Sequence, residues 1–352
     1  MRNLIVLVTL VLVALLPFAT KEHDSRVPTG IRIIKDLPYV PGSTDERQML
    51  DLFIPKARYG KSLPLIVWIH GGGWIEGDKS ASPAIELARK GFASASINYR
   101  LAPKHRFPAQ IFDCKAAVRW LRANAGEYGF DPDRIGVWGH SAGGHLAALI
   151  GTTNDIKEME GDLGNGEQSS SVKAVCDWSG PTDLLTFKEQ CPPDVAIGDV
   201  APPEMVDMLL GGPPEEKQEL ARQASPVLWA SRKSPPFLIM HSEGDPIVPY
   251  VQSQELANKL ESVGADVTLV KLRGDNHAFF RKDTFEKVLD FFGEKLAGKS
   301  AAVSFQPRGA RADQLLSRVS STSLASLTPA PAALAIHVLA ASGSESTPRP
   351  CR

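Results

Sequence analysis

Ser141, Asp245 and His277 are side chains of the kinds that together make an alcohol nucleophilic, and they follow one another in that order along the chain. Ser141 is the centre of Gly139-His140-Ser141-Ala142-Gly143, a Gly-x-Ser-x-Gly run preceded by the apolar stretch Ile135–Trp138 and followed by an Ala/Leu-rich one. A serine hydroxyl is a weak nucleophile, so it needs a base in hydrogen-bond reach and an acid that orients the base. His277, in the loop sequence Gly274-Asp275-Asn276-His277-Ala278, is the candidate base. Asp245 is the candidate acid, because Gly244 and Pro246 bracket it as a fixed turn. Glu243 is its rival, and Asp275, two residues before His277, a weaker one. The remaining histidines, His23, His70, His105, His140, His145, His241 and His337, read as surface or structural residues.

Attack on a carbonyl places negative charge on its oxygen, which has to be met by N–H donors. The run Leu65-Ile-Val-Trp-Ile-His-Gly-Gly-Gly-Trp74 ends a buried strand in three glycines, whose bare backbone can approach such an oxygen. Gly72 and Gly73 are the expected donors, with Gly71 or Trp74 as alternatives by register, and Ala142 at a helix start supplies another N–H. Each donor of this kind is worth about 3 kcal/mol of transition-state stabilisation. Trp74 is expected to border the substrate. A tight turn capped by Trp74 would explain the glycines less fully.

These residues need a scaffold that brings them to one rim. From about residue 30, short β-branched runs alternate with helical patterns, which predicts a mostly parallel sheet covered on both faces. Strands are expected at Ile31–Lys35, Met49–Ile54, Leu65–His70, Ala93–Tyr99, Ile135–Gly139, Lys173–Trp178, Phe237–His241 and Val267–Leu272. Helices are expected at Ala109–Ala123, Ser141–Thr152, Val251–Val263 and Lys282–Ala297. Between Trp178 and Phe237 the chain is rich in Pro, Glu and Met and too long for a simple crossover. We read about 183–233 as a small lid or pocket wall.

Composition narrows the class. The 352 residues are 43% hydrophobic, enough for a sizeable core. With 39 Lys+Arg against 40 Asp+Glu, the balance gives no electrostatic reason to expect nucleic acid or an anionic membrane as partner. A small-molecule or oligosaccharide substrate fits better. Residues 1–20 combine a basic start with a short apolar core from Leu4 to Leu16, the pattern of a secretory signal peptide, which implies a secreted or periplasmic protein. Pro17-Phe18-Ala19-Thr20 is a poor cleavage site, so an uncleaved N-terminal anchor is the alternative, and the only expected membrane attachment. The catalytic domain is expected over 30–297, and 298–352 as a low-complexity tail with little to bury. Four cysteines, Cys114, Cys176, Cys191 and Cys351, are too few for a disulfide scaffold, although a Cys176–Cys191 bridge is compatible with the spacing. No metal-ligand cluster and no phosphate or dinucleotide loop is present as a motif, so no cofactor is expected.

Taken together, the glycine run and the serine elbow resemble the α/β-hydrolase fold, and within it the His-Gly-Gly-Gly-Trp esterases close to acetylxylan and feruloyl esterase-like lipases. Asn98-Tyr-Arg-Leu-Ala102, Phe107-Pro-Ala-Gln-Ile-Phe-Asp113, Ala117-Val-Arg-Trp-Leu121, Phe130-Asp-Pro-Asp-Arg-Ile135 and Ser179-Gly-Pro-Thr-Asp-Leu184 add to the likeness, which runs from about 31 to 297. It implies an eight-stranded sheet with a small lid insertion, and hydrolysis of carboxylic esters through an acyl-enzyme on Ser141. Ser242 departs from the pattern, since relatives more often carry glycine directly after the histidine. An amidase or formamidase on the same scaffold is the chemically close alternative. A prolyl-oligopeptidase-type peptidase would need a propeller, and a silent binding module would usually have lost a triad member.

Overall fold

The structure, a computed structural model, describes residues 30–297 apart from 57–61, 193–194, 197–199 and 275. The leader, the tail and Asp275 lie outside the described residues. The strands are β1 (Ile31–Pro38), β2 (Met49–Pro55), β3 (Leu63–Ile69), β4 (Ala93–Ile97), β5 (Phe130–His140), β6 (Ala174–Trp178), β7 (Phe237–Ser242) and β8 (Val267–Leu272). They form one eight-stranded sheet in the order β1-β2-β4-β3-β5-β6-β7-β8. β2 runs antiparallel to both β1 and β4, and from β4 to β8 every pairing is parallel. This is the α/β-hydrolase sheet that the sequence predicts, with each expected strand present.

The helices are α1 (Ala84–Arg89), α2 (Ala109–Ala123), α3 (Ala125–Tyr128), α4 (Ala142–Thr152), α5 (Phe187–Gln190), α6 (Pro202–Leu210), α7 (Gln218–Gln223), α8 (Pro226–Trp229), α9 (Tyr250–Ser262) and α10 (Lys282–Phe292). The last expected helix is shorter than its pattern, because a wider turn over Gly293–Ala297 takes its final residues. Four of these helices, α5 to α8, fall in the excursion between β6 and β7.

Side chains alternate across a strand, so a strand can feed a core on each face, as β3 does. Leu65, Val67 and Ile69 of β3 join Ile111 and Val118 of α2, Leu146 and Leu149 of α4, and Leu256 and Leu260 of α9 on one face. Ile66 and Trp68 point the other way, to Leu87 of α1 and to Phe285, Val288 and Phe292 of α10. On that second face Trp68, Trp138 and Trp178 pack edge to face across three neighbouring strands, with ring centroids 4.9 and 4.8 Å apart. Burying such rings contributes about 0.5–1.5 kcal/mol per pair beyond the area removed from water.

The strand order reverses its direction of travel between β3 and β5. From β3 the chain moves outward to β4, and from β5 it moves the opposite way to β6. A crevice opens at the carboxyl ends of two such strands. His70 and the glycine run leave β3 at this point, and Ser141 leaves β5 beside them.

Candidate active site

Ser141 sits at the joint between β5 and α4 with φ 57° and ψ −125°, a conformation that non-glycine residues adopt at some cost. Neighbouring backbone holds it there: Ser141 N donates to the Trp178 carbonyl at 2.8 Å, and the Ser141 carbonyl accepts from His145 N at 3.0 Å. The tight turn explains its flanking glycines. A Cβ on Gly139 would run into the Gly143 carbonyl, and one on Gly143 into the Ile69 carbonyl. One on Gly144 would meet Oδ1 of Asp177, itself buried at the end of β6.

The glycine run lies against this turn. A Cβ on Gly71 would stand 2.8 Å from the His140 carbonyl oxygen and 3.2 Å from Ser141 Cβ. Gly72 has φ 107°, a value open to glycine and strained for other residues, and its carbonyl takes the N–H groups of Ile75 and Glu76, each at 3.0 Å. Among the described residues, no hydrogen bond uses the backbone N–H of Gly72, Gly73 or Ala142. Three donors therefore stand uncommitted around the serine turn.

Asp245 lies in the turn after β7. Its Oδ1 accepts from Ile247 N at 2.9 Å and Val248 N at 3.0 Å, and its Oδ2 accepts from His277 Nδ1 at 2.7 Å. Burial alone would push this carboxyl up, but the hydrogen bonds from His241 and His277 outweigh it and hold it far below the usual carboxylate range. Nδ1 of His277 carries the hydrogen it gives to Asp245, which leaves Nε2 as the basic nitrogen. That Nε2 is buried and has no hydrogen-bond partner. Glu243, the rival acid, is turned outward to Lys271 at 2.8 Å. The structure therefore brings Asp245 to His277 and takes Glu243 away from it.

Two histidines read from the sequence as structural touch this constellation. His140 Nε2 donates to the His277 carbonyl at 2.9 Å, its ring lies 4.8 Å from the His277 ring, and Phe280 closes on it at 5.7 Å. Burial, then the neighbouring His277, lowers His140 to about 3, so it stays neutral. His241 lies within 3.2 Å of Asp245 Oδ2. The one sequence signal was position: His140 adjoins Ser141, and His241 precedes Asp245 by four residues.

Trp74, expected to border the substrate, is 2% exposed, and its indole N–H donates to His145 Nδ1 at 3.1 Å. His145 Nε2 in turn donates to the Ala224 carbonyl, at 2.6 Å, just past α7. From the same excursion Met205 of α6 lies over Gly73, where a Cβ would strike its sulfur. Leu209 of α6 accepts from Phe107 N at 2.9 Å. The α5–α8 segment thus meets Gly73 through Met205 and is bonded to His145 and Phe107 through Ala224 and Leu209. Cys114, Cys176 and Cys191 are all free, so Cys176 and Cys191 form no bridge.

With the sheet, the elbow and the Asp–His pair described, comparison with known proteins places the chain. The BD-FAE family model matches residues 50–260. This chain belongs to the BD-FAE family. The match runs from β2 to α9 and so takes in the glycine run, Ser141 and Asp245 of this family member, while His277 lies beyond it. Esterase LipC of Mycobacterium tuberculosis is 33% identical over 240 residues, 67% of this chain and 58% of LipC. The chain thus spans a little under three fifths of that relative. A solved structure described as a truncated form of carbohydrate esterase from gut microbiota superposes with a TM-score of 0.67 at 31% identity, covering 76% of this chain and 96% of the other. A bifunctional GH43-CE protein of Bacteroides eggerthii gives a TM-score of 0.68 at 32% identity, over 75% of this chain and 35% of its own.

Proposed function

We propose that this chain hydrolyses carboxylic esters through an acyl-enzyme on Ser141. The observation that carries the proposal is the 2.7 Å bond from His277 Nδ1 to a buried Asp245, with Nε2 unpartnered and the His277 carbonyl held by His140, the residue before Ser141. In the acylation step Nε2 takes the Ser141 proton as the oxygen attacks the ester carbonyl. The N–H groups of Gly72, Gly73 and Ala142 receive the developing oxyanion. The alcohol leaves with the proton from Nε2. Water, deprotonated by the same nitrogen, then attacks the acyl-serine and releases the acid and Ser141.

The names of the relatives support esters as the substrate class, and the carbohydrate esterase among the structural neighbours supports acylated sugars as one group within it. Short acyl groups, acetyl or feruloyl on oligosaccharide among them, are the substrates we propose. Export to the periplasm or medium is proposed from the leader pattern alone.

The decisive test compares wild type with Ser141→Ala on p-nitrophenyl acetate, followed by acetylated xylan and feruloyl esters. Loss of at least about a thousandfold in kcat is expected. Retained turnover in the alanine variant rejects the nucleophile, and with it the reading.

A further inference from the structure

We propose that His241 is a positioning residue for this reaction: its Nε2 hydrogen, shared between Asp245 Oδ2 and the Val248 carbonyl, fixes the carboxylate in the orientation that receives His277. The proposal rests on the assignment of Asp245 and His277 given above and adds a residue behind them.

The hydrogen-bond partners settle where the hydrogens on His241 sit. Nε2 faces two acceptors, Val248 O at 2.9 Å and Asp245 Oδ2 at 3.2 Å, so it must donate. Nδ1 pairs with the Ser253 hydroxyl of α9 at 2.7 Å. The ring is fully buried, and Tyr250 meets it edge on at 5.7 Å. It is thereby held by two elements, the turn after β7 and the first part of α9.

The carboxylate needs this donor. An ionised carboxylate offers about four acceptor positions. Oδ1 of Asp245 is occupied by the N–H groups of Ile247 and Val248, and Oδ2 by His277 and His241. Remove His241 and one position on Oδ2 opens in a place that water hardly reaches, since Asp245 is 5% exposed. The carboxylate can then swing toward His277 or take up a proton, and either change spoils the alignment of Nε2. The longer 3.2 Å contact to His241, beside 2.7 Å to His277, fits a supporting donor and a principal one.

The test uses p-nitrophenyl acetate kinetics with folding followed by circular dichroism. His241→Leu keeps the bulk and loses the donor, and should lower kcat about tenfold or more, a charged hydrogen bond's share, with KM within about twofold. His241→Gln, whose amide reaches the Nε2 position, should recover most of that loss. Ser253→Ala leaves the ring in place without its partner, and should lower kcat by about threefold. In a double-mutant cycle, adding His241→Leu to Asp245→Asn should change kcat by less than about twofold, since the donor then has no carboxylate to orient. A folded His241→Leu with wild-type kcat, or losses that simply multiply in the cycle, overturns the proposal. If His241→Leu does not fold, Ser253→Ala decides between the outcomes: lowered kcat supports the proposal, and wild-type kcat overturns it. Ser141→Ala keeps the two claims apart, because its activity bears on the nucleophile whatever His241 does.

Discussion

Asp245 and Glu243 stand two residues apart and illustrate what a single side chain's surroundings decide. Both carry a carboxylate after the same strand, yet one is buried with His277 and the other turns to Lys271 at the surface. Asp245→Asn should therefore lower kcat by about a thousandfold or more, through loss of the orienting charge, whereas Glu243→Gln should leave it within about twofold. Side-by-side kcat measurements check this, and equal losses in the two variants would count against Asp245 as the acid. The sequence already favoured Asp245, because Gly244 and Pro246 mark a turn. Beyond its place four residues before Asp245, His241 gave no sign that it would turn back onto that carboxylate, since a histidine in a strand reads the same whether it faces apolar neighbours or an acid. Nor did the sequence show that the Trp74 indole would donate to His145 of α4, since a contact between elements so far apart along the chain has no local signature.

At the level of elements, the turn between β5 and α4 is the most demanding piece of the chain. Gly143 passes so close to the end of β3 that a methyl group has nowhere to go, and the obstacle is backbone, which cannot rotate aside. Gly143→Ala should destabilise the fold by about 3 kcal/mol, the upper end for overpacking. Gly126 in α3 is a fair control, because a Cβ there meets nothing within 4 Å. Gly126→Ala should be neutral or gain about 0.5–1 kcal/mol from helix propensity. Urea denaturation of both variants checks the pair, and similar midpoints would show that the elbow tolerates more than its geometry suggests. The strands were legible because their apolar periodicity is local, and all eight are found. The short helices α1, α3 and α5 to α8 were not, because pieces of four to nine residues carry too few turns for a helical period to show.

For the whole molecule, burial of titratable groups around the site sets the response to acid. His70, which donates to the Gly71 carbonyl, and His145 are each lowered by burial to about 4, and His140 to about 3. The unfolded chain, with histidines near 6.5, takes up protons that the fold refuses, so their contribution is whole above about pH 6.5 and fades as pH drops toward 4. Asp177 acts the other way. Burial raises it to about 6, so the fold binds its proton first and gains between pH 6 and 4 an amount comparable to what one of these histidines loses. Asp245, held far below its ordinary range, keeps its contribution until well under that window. Three histidines outweigh one aspartate, and stability should fall by a few kcal/mol, in order of magnitude, between pH 7 and 4.5. Urea midpoints at pH 7, 5.5 and 4.5 check the trend, and a constant or rising midpoint would contradict it. Phe280, three residues past His277, rests 5.0 Å from the Trp178 ring and 5.8 Å from that of Trp68. The indole cluster under the sheet thus touches the loop that carries His277, so a displacement of that loop should alter the surroundings of these light-emitting side chains. The protein holds a native optical probe of that loop, with no label to add.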